Sequence, residues 1–254
     1  MTLREMRLPE LKRLHETELR EAFPPQELKP YAAMKTLYEK GVYHPVGAWE
    51  GERLVGYAIL WESPAHPYVL IDYLGVPAHL RNGGLGGTLL DRLAEQFAGM
   101  DGILVESEAP EGGPEDALRR RRLDFYRRSG FTFLDYDCVL FGVHYAVCLR
   151  SPNGKGTEAG AMAAHQALYA AQFPKWAYEK FIQIPRDPEH PLQPPESWAE
   201  QTTLPGLEAY EAYKETQHDP GNLQRRTFSR PKSRTSHPRR PPRCPGPHRH
   251  PHRP

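Results

Sequence analysis

The chain has 254 residues, enough for one large domain or for one ordinary domain with extensions. Its three cysteines lack CxxC spacing, which argues against a disulfide framework and a metal site, and no apolar run approaches the roughly 18–20 residues of a membrane span. The net charge of +1 hides an asymmetry, since residues 219–254 carry ten basic groups against one acidic group and residues 1–218 carry 23 against 31. Because the start shows no signal-peptide pattern, we expect a cytoplasmic protein.

The first part of the chain predicts two helices followed by three strands. Leucines near a 3.6-residue period predict a helix that ends at the Pro24-Pro25 pair, and a second helix is predicted over 30–40. The pattern then becomes that of β-strands. The predicted strands span 43–49, 54–61 and 68–76, and the last is apolar nearly throughout, which indicates the centre of a sheet.

The elements that follow predict a mixed α/β sheet built as one domain. A glycine-rich loop leads to a helix at about 84–97, and a buried strand follows at 102–106. A strongly basic helix at 117–129 precedes two final strands, at 131–136 and 139–149.

The composition changes after residue 150. Aromatic residues and leucine at helical spacing predict a helical extension over 151–184, whereas proline and charge dominate 185–254, which we expect to be disordered. The folded domain is therefore predicted to span 1–150. The basic tail, 219–254, leaves several roles open: it could bind nucleic acid or an acidic partner, fold back on the acidic body, or carry no selected function.

The most informative stretch is the loop after the third predicted strand. Four glycines occupy positions 83, 84, 86 and 87 at the start of a helix, and Arg81 precedes them. Glycine lets the backbone approach a ligand closely, and the free N–H groups of a first helical turn suit a phosphate. A P-loop is excluded because no Gly-Lys-Ser/Thr follows, and a dinucleotide-binding fold is disfavoured because Leu89 stands where its third glycine belongs. A turn that only caps the helix is the remaining alternative.

Two motifs in this order resemble those of the GNAT superfamily of acyl-CoA-dependent N-acetyltransferases. The stretch 81–86, RNGGLG, is similar to the family's Arg/Gln-x-x-Gly-x-Gly/Ala pyrophosphate loop, and 125–131, FYRRSGF, is similar to its second signature. The resemblance covers about 2–150 and requires a short first strand near 3–6. It implies a mixed, mostly antiparallel sheet flanked by helices, with a splayed central pair of parallel strands.

The resemblance also implies an activity: transfer of an acetyl group from acetyl-CoA to a primary amine, by direct attack in a ternary complex. The pantetheine arm would lie between the splayed strands, and Tyr126 would donate a proton to the departing thiolate. The residues implied in binding acetyl-CoA are Leu74, Gly75, Val76, Arg81, Asn82, Gly83, Gly84, Leu85, Gly86, Gly87 and Thr88.

Carboxylates near the end of the 102–106 strand are candidates for the general base. Glu106 and Glu108 alternate along the chain, so both are predicted on one face, where burial could tune their protonation; a solvated loop position is the alternative. Asp72, inside an apolar strand, is either a further candidate or a hydrogen-bonded structural acid. Cys138 and Cys148 fall in late strands and are predicted to be buried thiols.

Other functions and the acceptor stay open at this stage. A non-catalytic sensor that binds acyl-CoA is one alternative, and a protein that binds nucleic acid or an acidic partner through its basic tail is another. The arginine run at 119–122 is predicted as a solvated helix face or as an attractor of CoA phosphates. Acids and aromatics of the expected acceptor wall mildly favour a small cationic amine; these are Glu21, Glu27, Tyr31, Trp49 and Trp61.

Overall fold

The computed structural model describes residues 1–23, 27–81 and 83–192 of the chain. Its strands are β1 (Thr2–Glu5), β2 (Tyr43–Glu50), β3 (Arg53–Glu62), β4 (Tyr68–Gly75), β5 (Gly102–Glu108), β6 (Thr132–Leu140), β7 (Val143–Arg150) and β8 (Ile182–Gln183). Within the described residues they form one eight-stranded sheet in the order β1-β2-β3-β4-β5-β7-β6-β8.

Helices cover both faces of this sheet. They are α1 (Leu8–Leu14), α2 (Arg20–Ala22), α3 (Tyr31–Glu39), α4 (Leu85–Gln96), α5 (Asp116–Arg128), α6 (Glu158–Gln172) and α7 (Lys175–Phe181), with a π-helical segment (His15–Leu19) between α1 and α2 and a 3-10 turn (Ala78–Leu80) before α4. The predicted mixed, mostly antiparallel sheet flanked by helices is thereby confirmed. None of these helices combines the length and the apolar composition that crossing a bilayer requires.

One pair of neighbouring strands in the sheet is parallel. β4 and β5 pair from Tyr68 opposite Gly102 to Ile71 opposite Val105, whereas the other neighbours pair antiparallel. Beyond this point β4 continues on β3 and β5 continues on β7, so the two central strands part. The expected splayed pair is present.

A β-bulge lies at the place where the strands part. The register between β3 and β4 shifts between Ile59 and Leu60, which face Tyr73 and Ile71, so Asp72 is the extra residue. A bulge bends its strand and increases the local twist. The bulge therefore helps to turn β4 away from β5.

Two apolar layers enclose the sheet. On one face, α4 and α5 pack on inward side chains of the central strands; the buried helical members of this layer are Leu89, Leu90, Leu93 and Ala94. On the opposite face lie α1, α3, α6 and α7, whose buried members include Leu11, Met34, Leu168 and Phe181.

The segment beyond residue 150 adds to this second layer. Thr157 caps α6 by accepting a hydrogen bond from the Gly160 N–H, and the helix buries residues at a spacing of three and four, including His165 and Tyr169. β8 then pairs antiparallel with the end of β6. Of the tail that we expect to be disordered, residues 193–254 lie outside the described residues.

One predicted boundary is wrong. The expected break between the last two strands near 137–138 does not occur, because β6 continues to Leu140 and the turn lies at Phe141 and Gly142, with φ of 51° and 82°. Gly142 adopts positive φ without a steric penalty, whereas Val139 and Leu140 stay in the strand, paired with β7.

Replacing Gly102 with alanine should destabilise the start of the parallel pair. A Cβ there would lie 2.5 Å from Leu149 Cδ1 and would overlap the ring of Tyr68, and both neighbours are buried. We expect a loss of about 1–3 kcal/mol in the free energy of unfolding, measured with urea. Gly99→Ala is the matched control, since its Cβ meets nothing within 4 Å; equal stability of both variants would contradict the packing described.

Candidate active site

The glycine-rich loop connects β4 to α4 as predicted. Gly84 immediately precedes the helix with φ of +77°, a left-handed conformation that favours glycine, and a Cβ at that position would meet nothing within 4 Å. Among the described residues, no side chain caps the first turn of α4, so its N–H groups remain available to an anion.

The charged and glycine residues of the loop surround this helix end. Arg81 is exposed, and its Nε donates a hydrogen bond to the Val76 carbonyl at 3.1 Å, while Gly83 and Thr88 are also exposed. Leu85, Gly86 and Gly87 are half-buried. Asn82 lies outside the described residues.

The second motif packs against the first. A Cβ at Gly86 would lie 3.2 Å from the ring of Phe125, so α4 approaches α5 closely at its N-terminal turn. The ring of Tyr126 packs between Phe125 and Phe131, at centroid distances of 5.2 and 5.6 Å. Burial raises the pKa of Tyr126 to about 12, and its hydroxyl forms no hydrogen bond with any described residue.

The parting of β4 and β5 exposes a strand edge directly beside this loop. β4 pairs with β3 as far as Gly75, but within the described chain no strand pairs with its other edge beyond Ile71. The half-buried residues Leu74, Gly75 and Val76 lie on this stretch. The Val76 carbonyl accepts from Arg81, and the backbone groups on the unpaired edge of this stretch can pair with an extended, amide-containing ligand as an added strand would.

Glu106 is the first residue of β5 beyond the parallel pairing. Its Oε1 lies 2.6 Å from Nε2 of His165, and the Tyr169 hydroxyl donates to both carboxylate oxygens at 2.9 and 3.0 Å. His165 is fully buried, and its Nδ1 lies 3.3 Å from the Tyr136 hydroxyl. Both partners of the carboxylate come from α6.

Glu108, two residues further along β5, has a different environment. The Arg119 Nε donates a hydrogen bond to Glu108 Oε2 at 2.8 Å, and Arg122 lies 4.0 Å from the same oxygen. The predicted arginine run is therefore partly engaged within the protein, since Arg120 also pairs with Asp116 at 3.2 Å. Glu108 anchors α5 to the end of β5.

Asp72, the bulge residue, is held by a buried lysine. Lys29 Nζ lies 3.1 and 3.0 Å from its two oxygens, both side chains are about one-tenth exposed, and the Tyr43 hydroxyl donates a further hydrogen bond. The ammonium also lies 5.2 Å from the ring centre of Trp61. Of the two expectations for Asp72, this geometry favours the structural acid.

One buried cluster has donor atoms that could hold a metal. Donor atoms of Glu106, Cys138 and His165 lie within 4.8 Å of one another. Both ring nitrogens of His165 are already engaged with Glu106 and Tyr136, and burial raises the pKa of the Cys138 thiol well above its ordinary value. Since a metal would need a free imidazole nitrogen and a thiolate, we interpret the cluster as a hydrogen-bonded one.

A comparison with protein families identifies the family to which this part of the chain is similar. The model of the acetyltransferase (GNAT) family matches residues 8–131, a span that contains both motifs and the parting strands. Residues 8–131 form a GNAT-family domain. The family expected from the two motifs is thereby confirmed for residues 8–131, and the sheet topology confirms the expected fold.

Individual relatives resemble parts of the chain. YjbC of Bacillus subtilis (strain 168), named as an acetyltransferase, is 32% identical over 116 residues, which are 45% of this chain and 54% of YjbC. The match thus spans about half the length of that relative. A GNAT-family structure from Bacteroides thetaiotaomicron is 20% identical with a TM-score of 0.49, covering 59% of this chain and 87% of its own. A second, from Desulfovibrio desulfuricans, is 22% identical with a TM-score of 0.47, covering 59% and 98%.

Three residues close to the parting strands of the GNAT domain were not identified from the sequence. His165 and Tyr169 are four residues apart on the buried face of α6, which also contains Gln172, so polar residues at helical spacing among apolar ones were the available signal. Lys29 offered no signal, because nothing local distinguishes it from a surface lysine. All three contact residues that are far from them in the sequence, with separations of 43, 59 and 63 residues.

Asp72→Asn in the GNAT domain should be strongly destabilising. The substitution leaves the Lys29 ammonium buried without its counter-charge, and breaking a buried pair from one side costs about 3–5 kcal/mol. The double variant Lys29→Met/Asp72→Asn should recover part of that loss in urea unfolding. Wild-type stability of Asp72→Asn would contradict a buried ion pair.

Proposed function

We propose that the protein is an N-acetyltransferase that transfers the acetyl group of acetyl-CoA to a primary amine by direct attack in a ternary complex. The observation that carries the proposal is the free edge of β4, which lies between an uncapped, glycine-rich helix start and a group of carboxylates. The helix start suits the pyrophosphate of CoA, the free edge suits its pantetheine arm, and the carboxylates suit an ammonium group.

The loop fits the anionic end of acetyl-CoA. Free N–H groups over 83–87 and the positive end of α4 attract the pyrophosphate, and Arg81 is exposed and long enough to add a bidentate contact. Backbone groups of Leu74, Gly75 and Val76 would then hold the pantetheine arm as an added strand. Asn82 completes the proposed set.

The two proton-transfer groups lie on opposite faces of the sheet. Tyr126 belongs to the layer of α4 and α5, whereas Glu106 contacts α6 on the other face. An amine that approaches from the Glu106 side would lose its proton to that carboxylate, directly or through water, and its nitrogen would attack the thioester carbonyl. The C–S bond breaks, and the hydroxyl of Tyr126 donates to the leaving thiolate.

The raised pKa of Tyr126 suits this role. A phenol with a pKa of about 12 stays protonated at neutral pH and therefore remains a donor. On the acceptor side, Glu106 is the better-placed base of the two glutamates, because Glu108 holds Arg119. Partial desolvation and then the charge of Glu108 raise the pKa of Glu27, a further carboxyl on the solvent-exposed surface.

Binding of acetyl-CoA by the full chain tests the first half of the proposal. Gly84→Glu should abolish saturable binding in isothermal titration, because it strains a positive-φ position and places a negative charge at the pyrophosphate site. Gly51→Glu is the matched control: it has φ of +61° and open space, but lies in the β2–β3 turn. Equal loss in both variants, or no binding by the wild type, would contradict the proposed site.

Turnover tests the second half. With a panel of primary amines and detection of released thiol, Tyr126→Phe should lower kcat by about 10²–10⁴-fold while acetyl-CoA binding is kept. Tyr126 keeps its proton below its pKa of about 12 and loses it above that pH. Its ionisation should therefore not lower kcat at any pH up to about 10. Binding without turnover on any amine would instead favour the acyl-CoA sensor.

A further inference from the structure

The carboxylate of Glu106 is held from outside the GNAT-family match. His165 and Tyr169 belong to α6, which begins at Glu158, whereas the match ends at residue 131. The three side chains are closely packed, with the imidazole fully buried and the carboxylate-bearing side chain 13% exposed. A helix added to the domain therefore determines the orientation of an acid at the parting strands.

The hydrogen bonds of this cluster continue from the carboxylate through the imidazole to Tyr136. Burial raises the pKa of Tyr136, so its hydroxyl stays protonated, 3.3 Å from Nδ1 of His165. Toward an ionised carboxylate, which only accepts, Nε2 of His165 is the donor, and its N–H points at Glu106 Oε1 across 2.6 Å. Tyr169, whose pKa burial also raises, donates from the other side.

The partners leave part of the carboxylate open. Oε1 accepts from His165 and Tyr169, whereas Oε2 shares only the Tyr169 hydroxyl, which is divided between the two oxygens. A carboxylate has about four acceptor positions, so Oε2 keeps capacity for a further donor. The side chain is fixed in one orientation while one oxygen stays able to accept a proton.

The three acids at the parting strands differ in how their charge is balanced. Asp72 faces the Lys29 ammonium, and Glu108 faces the Arg119 guanidinium, each a permanent cation. Glu106 is paired with no lysine or arginine among the described residues, and its hydrogen-bond partners are an imidazole and a phenol. The groups that surround it on the other elements are Asp72 on β4, Tyr136 and Cys138 on β6, Tyr145 on β7, and His165 and Tyr169 on α6.

We infer that His165 and Tyr169 are positioning residues for Glu106, and that α6 is therefore part of the acceptor side of the active site. The inference rests on the proposed function, in which Glu106 takes the proton of the attacking amine. An imidazole and a phenol orient the carboxylate without placing a lysine or arginine against it, so the carboxylate stays open to the ammonium group of an acceptor.

The experiment compares four variants of the full chain. His165→Gln keeps an N–H near the position of Nε2, His165→Leu removes it, and Tyr169→Phe removes the other donor. Tyr178→Phe is the matched control, because it deletes one hydroxyl from the neighbouring helix α7, where that hydroxyl forms no hydrogen bond with a described residue. Acetyl-CoA affinity is measured by calorimetry, folding by thermal unfolding, and kcat and KM with a panel of primary amines by thiol release.

We expect His165→Leu to lower kcat by about 10²-fold and Tyr169→Phe by about 10-fold, with the KM for acetyl-CoA unchanged. His165→Gln should restore most of the activity that leucine loses, and Tyr178→Phe should match the wild type. If His165→Leu does not fold, Tyr169→Phe and His165→Gln carry the comparison.

Two outcomes separate this inference from the proposed function. If the wild type binds acetyl-CoA but releases no thiol with any amine, the proposed activity fails and the positioning role fails with it. If the wild type is active and Tyr169→Phe equals Tyr178→Phe, or if both His165 variants keep full kcat, only the positioning role is overturned.

Discussion

The separation of β4 and β5 after four parallel residue pairs is the constraint on which the rest of the site depends. Each strand stays paired on its outer side, so the backbone groups that face the gap have no partner strand within the described chain. Buried backbone N–H and C=O groups require hydrogen bonds. The unpaired backbone groups at the gap can therefore form hydrogen bonds with a ligand whose polar groups are regularly spaced.

The elements around the gap create two different electrostatic surroundings. On the side of α4 and α5 there are the positive helix end, Arg81 and a protonated tyrosine. On the side of α1, α3 and α6 there are carboxylates, of which Asp72 and Glu106 each follow directly on the last parallel pair, Ile71 and Val105. An anionic acyl donor and a cationic acceptor would thus be drawn to opposite faces of one gap.

Acids that are alike in sequence differ through their partners. Asp72 stabilises the fold because Lys29 is buried against it, and Glu108 fastens α5 through Arg119. Of the three, Glu106 is held by a histidine and a tyrosine in place of a lysine or an arginine, and both come from a helix beyond the family match. The segment 158–183 is therefore joined to the site by hydrogen bonds as well as to the sheet by packing and by β8.

Local chemistry made much of this protein predictable. The periodicity of apolar residues identified the helices and strands, and glycines 83–87 with FYRRSGF at 125–131 identified the family. Those signals lie within short stretches of sequence. There, the backbone conformation of a residue and the direction of its side chain depend mainly on the residues next to it in the chain. The same logic predicted that Glu106 and Glu108 share a face, but it gave no sign that Glu106 contacts α6 and Glu108 contacts α5.

Tertiary structure decided the rest. The bulge at Asp72 follows from the register of β3 against β4, and the late β6–β7 turn follows from which residues β7 and β8 pair with. Lys29 meets Asp72, and His165 meets Glu106, across 43 and 59 residues of chain. A sequence pattern specifies the face on which a side chain lies, but the partner that balances its charge depends on which distant element packs over that face.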